Sequence, residues 1–187
     1  SGVAMANPED WDRLWTPHRM AYIKGEGKPD DASEGAHCPF CRTPESAAAE
    51  AAEAQRGETG DGLVIATGEL VYAVLNKFPY NSGHLLICPY RHVAEYPELT
   101  VTETAEFSAF TKTAMRVLRE VSGAQGFNIG MNQGSIAGAG ISAHLHQHVV
   151  PRWGGDMNFM PVVGGTKVLP ALLEQSRDLL AAAWPVA

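Results

Sequence analysis

Three histidines on alternate positions constrain this chain more than any other feature. They are His144, His146 and His148, and they lie in the largely apolar stretch 143–151. Successive side chains of an extended strand point to opposite faces, so the three imidazoles would share one face. Histidine is a poor core residue and costs free energy when its ring nitrogens lack partners. Packing alone therefore does not account for this strand.

The residues alone leave three interpretations of the histidine strand open. It is a chance cluster on a solvated edge strand, it is a metal site built from imidazole ligands, or it is a catalytic strand. In the catalytic interpretation one imidazole attacks phosphorus and forms a covalent phosphoramidate, while its neighbours donate hydrogen bonds to phosphate oxygens. The flanking apolar residues favour a strand over a polar tail.

Length and charge exclude several classes of protein. A chain of 187 residues, 45% of them hydrophobic, is expected to form one domain or one domain with extensions. Its net charge of −7 provides no basic field, so we expect no nucleic-acid partner. No apolar run approaches the roughly 18–20 residues of a membrane span, and we expect no signal peptide. The expected location is cytoplasmic, without a membrane partner.

Alternating and periodic patterns indicate a folded core that begins at residue 62, and the chain is divided into an N-terminal arm (1–61), this core (62–153) and a C-terminal extension (154–187). Strands are predicted at 63–67, 70–75, 84–88, 127–132 and 144–150, the third buried on both faces. A long helix is predicted at 100–122, and further helices at 8–16 and 168–184. The Ala- and Glu-rich stretch 45–60 predicts an exposed helix or a mobile insertion without chemistry, because it contains almost no large apolar residue.

Cys38 and Cys41 form a C-x2-C pair near the start of the chain. By itself this pair is a redox centre, half of a zinc site, or neither. A zinc site would need two further ligands, and the chain has no second C-x2-C. Histidines would have to supply them, and the candidates are His37, His84, His92 and the three histidines of the strand.

Two further stretches suit a nucleotide. Tyr72, Val74 and Asn76 share one face of the second predicted strand, and an apolar surface that ends in an amide suits a purine ring and its ribose. An ordinary hairpin with a capping Asn fits the same residues. The Gly-rich loop at 133–140 leads into the histidine strand, and its glycines leave backbone amides able to approach an anion.

The histidine strand resembles the H-x-H-x-H-x-x signature of the histidine triad (HIT) superfamily, with Gln147 as one polar departure. The resemblance extends over roughly residues 62–153. It implies an α+β fold with a mainly antiparallel five-stranded sheet, one long helix and a C-terminal helix. It also implies a homodimer with a continuous sheet.

The resemblance assigns roles to individual residues. It makes His146 the nucleophile, with His148 and His144 beside it, and it makes His84 a support of the triad from behind. The nucleotide-binding residues that it implies are Val74 and Asn76 at the nucleoside, and Gln133, Gly134, Ser135 and Ser142 along the phosphates and the leaving group. It also suggests Trp153 and Phe159 as residues that shape the second half of the substrate site or the dimer contact.

Many bacterial members of this superfamily carry a similar C-x-x-C that holds zinc. The resemblance therefore implies a structural zinc on Cys38, Cys41, His92 and His144. A divalent ion could enter together with a polyphosphate substrate, although no carboxylate cluster suggests a dedicated site for it.

The substrate remains open between related classes. The superfamily commonly has Gln where this chain has Gly140, and the hydroxyl stands one position later, at Ser142. This departure and the long C-terminal extension favour the fragile-histidine-like branch, which cleaves dinucleoside polyphosphates such as diadenosine tetraphosphate. An adenosine phosphoramidate hydrolase fits the histidines equally well. A nucleotide-binding or zinc-stabilised interaction protein with little turnover is the rival from a different class. The retained His148 disfavours the uridylyltransferase branch, which has Gln at that position.

Overall fold

The computed structural model describes residues 38–58, 62–137, 140–156 and 172–185. Within these ranges three α-helices and five strands follow one another along the chain. They are α1 Pro44–Gln55, β1 Val64–Thr67, β2 Val71–Leu75, β3 Leu85–Pro89, α2 Val101–Ser122, β4 Gly126–Gly130, β5 Gln147–Arg152 and α3 Leu173–Ala183. The predicted helix at 8–16, Phe159 and positions 168–171 of the predicted last helix lie outside the described residues.

The five strands form one sheet in the order β1-β2-β3-β5-β4. Every neighbouring pair is antiparallel. All five residues of β3 are buried, which confirms the prediction of a strand covered on both faces. The α+β architecture with a mainly antiparallel five-stranded sheet is also confirmed.

Helix α2 covers one face of the sheet. Thr100 caps its first turn in a reciprocal capping box with Glu103, and Gly123 ends it in the left-handed region at φ 62°. Its apolar stripe, including the buried residues Phe107, Val117 and Leu118, packs against inward-facing residues of β2, β3 and β5. The predicted long helix is confirmed, with its cap and its stop.

Helix α1 covers the opposite face, which corrects the sequence analysis. Ala47, Ala51 and Ala54 are 0%, 5% and 1% exposed. The first two pack into a cluster with residues of β1, β2 and β3: Val64, Tyr72, Val74, Leu86 and Cys88. The prediction of an exposed helix or a mobile insertion was wrong, because small alanines let a helix lie close to a sheet and bury its face without large side chains.

Helix α3 is joined to the chain between α1 and β1 by a buried guanidinium. Arg177 is 1% exposed, and it donates to the backbone carbonyls of Glu58 (2.7 Å) and Gly62 (3.1 Å). The same helix contributes Leu180 and Ala181 to the core around α2. Among the described residues, no helix combines the length and the apolarity needed to cross a membrane.

The histidine strand begins three residues later than predicted. Strand β5 starts at Gln147, so His144 and His146 precede it. The ladder with β3 ends where Ile87 pairs with Gln147. Before that point the backbone N–H of Leu145 donates to the carbonyl of Val93 instead of to β3 (2.6 Å). The last helix likewise begins at Leu173, with Leu172 outside it as its N-cap.

Candidate active site and metal centre

The ring of His146 is held in one tautomer. Its Nδ1 lies 2.9 Å from the backbone carbonyl oxygen of His144. A carbonyl oxygen only accepts, so Nδ1 carries the proton and Nε2 carries the lone pair. The residue is 8% exposed, and burial lowers the pKa of His146 below its ordinary value. The site therefore contains a neutral imidazole with a nucleophilic Nε2.

A chain of hydrogen bonds orients His148. The backbone N–H of Tyr80 donates to His84 Nδ1 at 3.0 Å, so a neutral His84 carries its proton on Nε2. That nitrogen lies 2.9 Å from His148 Nδ1, which must accept. The proton of a neutral His148 is then on Nε2, as a hydrogen-bond donor. The His146 and His148 ring centroids lie 5.2 Å apart, so this donor belongs to the same site as the nucleophile.

The predicted nucleoside contacts lie at the end of β2. The Asn76 Oδ1 accepts from the backbone N–H of Phe78 at 2.9 Å, and its Nδ2 lies 3.4 Å from His84 Nδ1. Val74 is 7% exposed, because α1 covers this part of the sheet. The structure therefore brings Asn76 next to the relay behind the histidines. Contact of either residue with a nucleoside stays a prediction.

The amide of Gln133 faces the loop before α2. Its Oε1 accepts from the backbone N–H of Tyr96 (2.7 Å), and its Nε2 donates to the carbonyl of Ala94 (3.3 Å). A neighbouring amide that sequence reasoning missed, Asn132, lines a cavity together with His148. Gly130 pairs with His148, and residues two apart along a strand share a face. The period-2 spacing from Gly130 to Asn132 was therefore the available signal. A phosphate contact of Gln133 stays a prediction.

The Gly-rich loop precedes the histidine stretch in the sequence and contains a sharp turn. Gly134 has φ +76°, and a Cβ at that position would meet no atom within 4 Å. A 3-10 turn at Ser135–Ala137 follows. Ser142 is half-buried just before His144. Roles of Gly134, Ser135 and Ser142 at the phosphates stay predictions.

Phe40 is a second residue that sequence reasoning missed. It lies inside the C-x2-C pair, and its ring centroid is 4.6 Å from that of His146 at an interplanar angle of 33°. Its backbone carbonyl accepts a hydrogen bond from the hydroxyl of Tyr72 on β2. The available signal was its position between two potential metal ligands. A phenylalanine cannot bind the metal, so its ring at this position indicates a different contact.

Trp153 lies away from these groups. Its indole N–H donates to the carbonyl of Ser122 at the end of α2 (2.8 Å), and its ring packs against the core around that helix. It therefore lies on the side of the sheet that α2 covers, whereas His148 faces the other side. The ring of Trp153 therefore lies away from the histidines of its own chain, and its role at the second half of the substrate site or at the dimer contact stays a prediction.

A cavity of about 390 Å³ opens beside His148 over β4 and β5. Its lining consists of Tyr80, Asn81, Asn128, Ile129, Gly130, Met131, Asn132, His148, Val150 and Arg152. At the end away from His148, Arg152 forms an ion pair with Asp156 (Nε to Oδ2, 2.6 Å). The Arg152 guanidinium also holds the pKa of Asp156 well below its usual range.

Cys38, Cys41, His92 and His144 converge on one point. One ligand atom from each lies within 4.8 Å of the other three, so the cluster could hold a metal ion. The Sγ of Cys41 lies 3.2 Å from His92 Nδ1, and the Sγ of Cys38 lies 3.5 Å from His144 Nδ1. Zinc–sulfur bonds of about 2.3 Å and zinc–nitrogen bonds of about 2.0–2.1 Å in a tetrahedron place sulfur and nitrogen about 3.5 Å apart. The donor set and its spacing therefore fit tetrahedral zinc.

The imidazole of His144 is prepared to bind a metal. Its Nε2 donates to the backbone carbonyl of Pro89 at 2.9 Å, which leaves the Nδ1 lone pair facing the cysteines. Burial lowers the pKa of His144 to about 4, which keeps the ring neutral. The same residue places its backbone carbonyl on His146, so the metal cluster and the nucleophile share His144.

Comparisons with known proteins agree with this geometry. The chain is 49% identical over 175 residues to a curated protein of Mycobacterium tuberculosis named AP-4-A phosphorylase, covering 92% of this chain and 84% of the relative. It is 29% identical to a bifunctional bis(5'-adenosyl)-triphosphatase/adenylylsulfatase of Arabidopsis thaliana, covering 59% of this chain and 58% of the relative.

Its fold is similar to the crystal structure of a zinc-bound histidine triad family protein from Mycobacterium smegmatis. The TM-score is 0.55 at 29% sequence identity, covering 72% of this chain and 90% of that chain. The family model described as HIT domain matches residues 58–155, which is more than half of the sequence. The chain belongs to the HIT domain family.

Proposed function

We propose that this protein cleaves dinucleoside polyphosphates, such as diadenosine tetraphosphate, at the α-phosphate through a nucleotidyl-histidine intermediate. The observation that carries the proposal is the hydrogen bond from His146 Nδ1 to the His144 carbonyl, which leaves the lone pair on Nε2, where a nucleophile needs it. The name of the Mycobacterium tuberculosis relative, AP-4-A phosphorylase, supports this substrate class.

In the first step, His146 Nε2 attacks the α-phosphorus. A phosphorus–nitrogen bond forms, and the bond between that phosphorus and the bridging oxygen breaks, so the leaving nucleotide departs with the electron pair. The Nε2 proton of His148 donates to phosphate oxygens as charge develops on them. Ser142 or a triad histidine protonates the leaving group, and backbone amides at Gly134 and Ser135 extend the oxygen contacts.

In the second step, an oxygen nucleophile displaces His146 from phosphorus and restores the neutral ring. The name of the relative supports inorganic phosphate as the acceptor, which would release ADP. Water as the acceptor would release AMP. The nucleoside of the transferred group lies against Phe40, Val74 and Asn76 in this proposal, on the β2 side of the histidines.

We further propose that the metal on Cys38, Cys41, His92 and His144 is zinc. Bound zinc supplies a cross-link between the chain segment of the cysteines and the start of the histidine stretch, and it takes part in no chemical step. The segment so held includes Phe40, whose ring lies against the nucleophile. The zinc-bound state of the similar Mycobacterium smegmatis protein supports this choice of metal.

We also propose that the protein is a homodimer in the cytoplasm. Strand β4 lies at the edge of the sheet, and three of its five residues are exposed. An edge strand presents backbone N–H and C=O groups that a second copy can pair with. Light scattering of the purified protein tests this, and a monomeric mass at micromolar concentration would exclude the dimer.

Intact-protein mass spectrometry tests the mechanism. The protein is incubated briefly with diadenosine tetraphosphate, and separately with adenosine phosphoramidate, at mildly alkaline pH. We expect wild type to gain the mass of one AMP group and His146→Ala to gain nothing. Gln147→Ala is the matched control, because this neighbour points to the other face and accepts from Thr111 of α2 at 2.6 Å. It should still form the adduct.

The two alternatives give different results. Faster loading from adenosine phosphoramidate than from diadenosine tetraphosphate would identify a phosphoramidate hydrolase. Nucleotide binding without adduct or product from either substrate would identify a binding protein and contradict the proposed function. An adduct that persists in His146→Ala would place the nucleophile elsewhere.

A further inference from the structure

We infer that the cavity over β4 and β5 binds the second nucleoside of the dinucleoside polyphosphate, the one that departs with the leaving group. The inference rests on the proposed function, because it assigns the half of the substrate that is not transferred to His146. The cavity begins at His148 and extends along β5 towards Arg152.

The rings of His146 and His148 lie next to each other on the face of the sheet opposite α2. This face has one part on the β2 side of the two rings and another on the β4 side. On the β2 side lie Phe40 and Asn76, and α1 closes the face beyond them. On the β4 side none of the described helices covers this face, and the cavity lies there. A substrate whose α-phosphate lies at His146 and whose first nucleoside lies on the β2 side has its remaining half directed towards this cavity.

The dimensions of the cavity suit a nucleoside. Its volume of about 390 Å³ is within the range of about 300–1,000 Å³ found for small-molecule sites. From His148 to Arg152 is four residues of strand, which is about 13 Å at about 3.3 Å per residue. This length separates the α-phosphate from the far end of the cavity and leaves room for the phosphates between them.

The lining has the chemistry of a base and ribose site and not that of an inorganic phosphate site. Tyr80, Met131 and Val150 provide apolar walls, and the amide of Asn132 and the Nδ2 of Asn128 provide hydrogen-bonding groups. Two other amide atoms of the lining are engaged within the protein: Asn81 Nδ2 donates to the Pro151 carbonyl and to Asp156, and Asn128 Oδ1 accepts from Arg152. The charged side chain at the far end, Arg152, is neutralised by two hydrogen bonds to the Asp156 carboxylate, at 2.6 and 3.0 Å. A compensated guanidinium is a weak phosphate ligand, whereas uncharged amides are suited to base edges and ribose hydroxyls.

A side chain introduced at Gly130 would fill part of the cavity without removing any existing side chain from its lining. It pairs with His148 across the β4–β5 ladder, lines the cavity, and has no atom within 4 Å of the position that a Cβ would occupy. Its φ is not positive, so the strand accepts a side chain there. Gly126 is the matched control, because it lies on the same strand and face but outside the lining. A Cβ there would make an ordinary contact with Arg152 at 3.8 Å.

The experiment compares two substrates that share the AMP group and differ in the leaving group. The kcat/KM values for diadenosine tetraphosphate and adenosine phosphoramidate are measured for wild type, Gly130→Val and Gly126→Val. We expect the ratio of the two values to fall by about 10-fold or more in Gly130→Val, because only the dinucleotide needs the cavity. The ratio should stay at the wild-type value in Gly126→Val. Gly130→Ala, with a smaller side chain, should lower the ratio less and serves if the valine variant does not fold.

Two results would overturn the inference. Equal losses with both substrates in Gly130→Val would place the cavity at the transferred AMP or at the chemistry itself. An unchanged ratio would show that the second nucleoside binds elsewhere. Failure of the proposed function is distinct from both, since wild type would then form no AMP adduct and turn over neither substrate.

Discussion

Replacing Glu103 with Gln should destabilise the protein in a pH-dependent way. Glu103 is 5% exposed at the start of α2, and it accepts two hydrogen bonds from Arg91, at 2.9 and 2.8 Å. It also accepts from the backbone N–H of Thr100 at 2.7 Å, as the second half of the capping box. The substitution keeps the shape of the side chain and removes its charge.

The pKa of Glu103 gives the scale of the effect. The guanidinium of Arg91 is the main reason that the pKa falls from 4.5 to about 2. One pKa unit corresponds to about 1.4 kcal/mol, so the upper limit is about 3 kcal/mol. The Arg91 side chain is 46% exposed, and solvent screens the interaction. We therefore expect Glu103→Gln to lower the free energy of unfolding by about 1–2 kcal/mol at pH 7.

The sign of the pH dependence follows from the lowered pKa. A carboxylate whose pKa is lower in the folded than in the unfolded protein stabilises the fold above its unfolded pKa. This stabilisation is complete above about pH 5 and is lost as the pH falls towards 2. At pH 3 the difference between wild type and Glu103→Gln should be less than about half of its value at pH 7.

Urea unfolding at pH 7 and pH 3 measures both quantities. Glu120→Gln is the control, because it makes the same change of charge at an exposed position of the same helix. It should alter the free energy of unfolding by less than about 0.5 kcal/mol. Equal midpoints for wild type and Glu103→Gln at pH 7 would refute the reasoning, and so would a difference that does not shrink at pH 3.

Three further substitutions test the packing, the metal cluster and the relay. Ala47→Leu should lower the free energy of unfolding in urea by about 1–3 kcal/mol, because Ala47 is 0% exposed on the face of α1 that packs against the sheet. Ala48→Leu, on the exposed face of α1, should change it little. Cys41→Ser should lose bound zinc by elemental analysis, while Cys88→Ala, a buried cysteine outside the cluster, should retain it; equal zinc in both would exclude the assigned ligands. His84→Phe should lower kcat by about 10-fold or more, because it removes the donor to the third triad histidine. An unchanged kcat in His84→Phe would contradict the relay.

The elements that were predicted well are those with strong local signals. Thr100, Glu103 and Gly123 mark the ends of α2 through capping chemistry, which depends only on neighbouring residues. The continuous apolar run of β3 indicates burial on both faces, and the structure has it in the middle of the sheet. The alternate histidines indicate a site for the same reason, since nothing in ordinary packing calls for them.

The features that were missed depend on distant partners. The buried face of α1 consists of alanines, whose weak apolar signal does not show that a sheet lies against them. The start of β5 is fixed by Val93, which takes the N–H of Leu145 from 52 residues away in sequence. Asn132 was missed because its place in the cavity depends on how β4 pairs with β5, which spacing to the triad does not show.

The unequal covering of the sheet has a consequence for the timescales on which its amide hydrogens exchange. Strands β2 and β3 are fully buried between helices, so their amides should exchange with solvent only when the whole domain unfolds. Strand β4 lies at the edge of the sheet with exposed residues, so in a single chain its outer amides should exchange through local opening, and pairing with a second copy should slow them. A ligand in the cavity contacts β4, so its binding raises the free energy of local opening at that strand. Bound ligand should therefore slow exchange at β4 by suppressing local opening, and at β2 and β3 by raising the free energy of global unfolding.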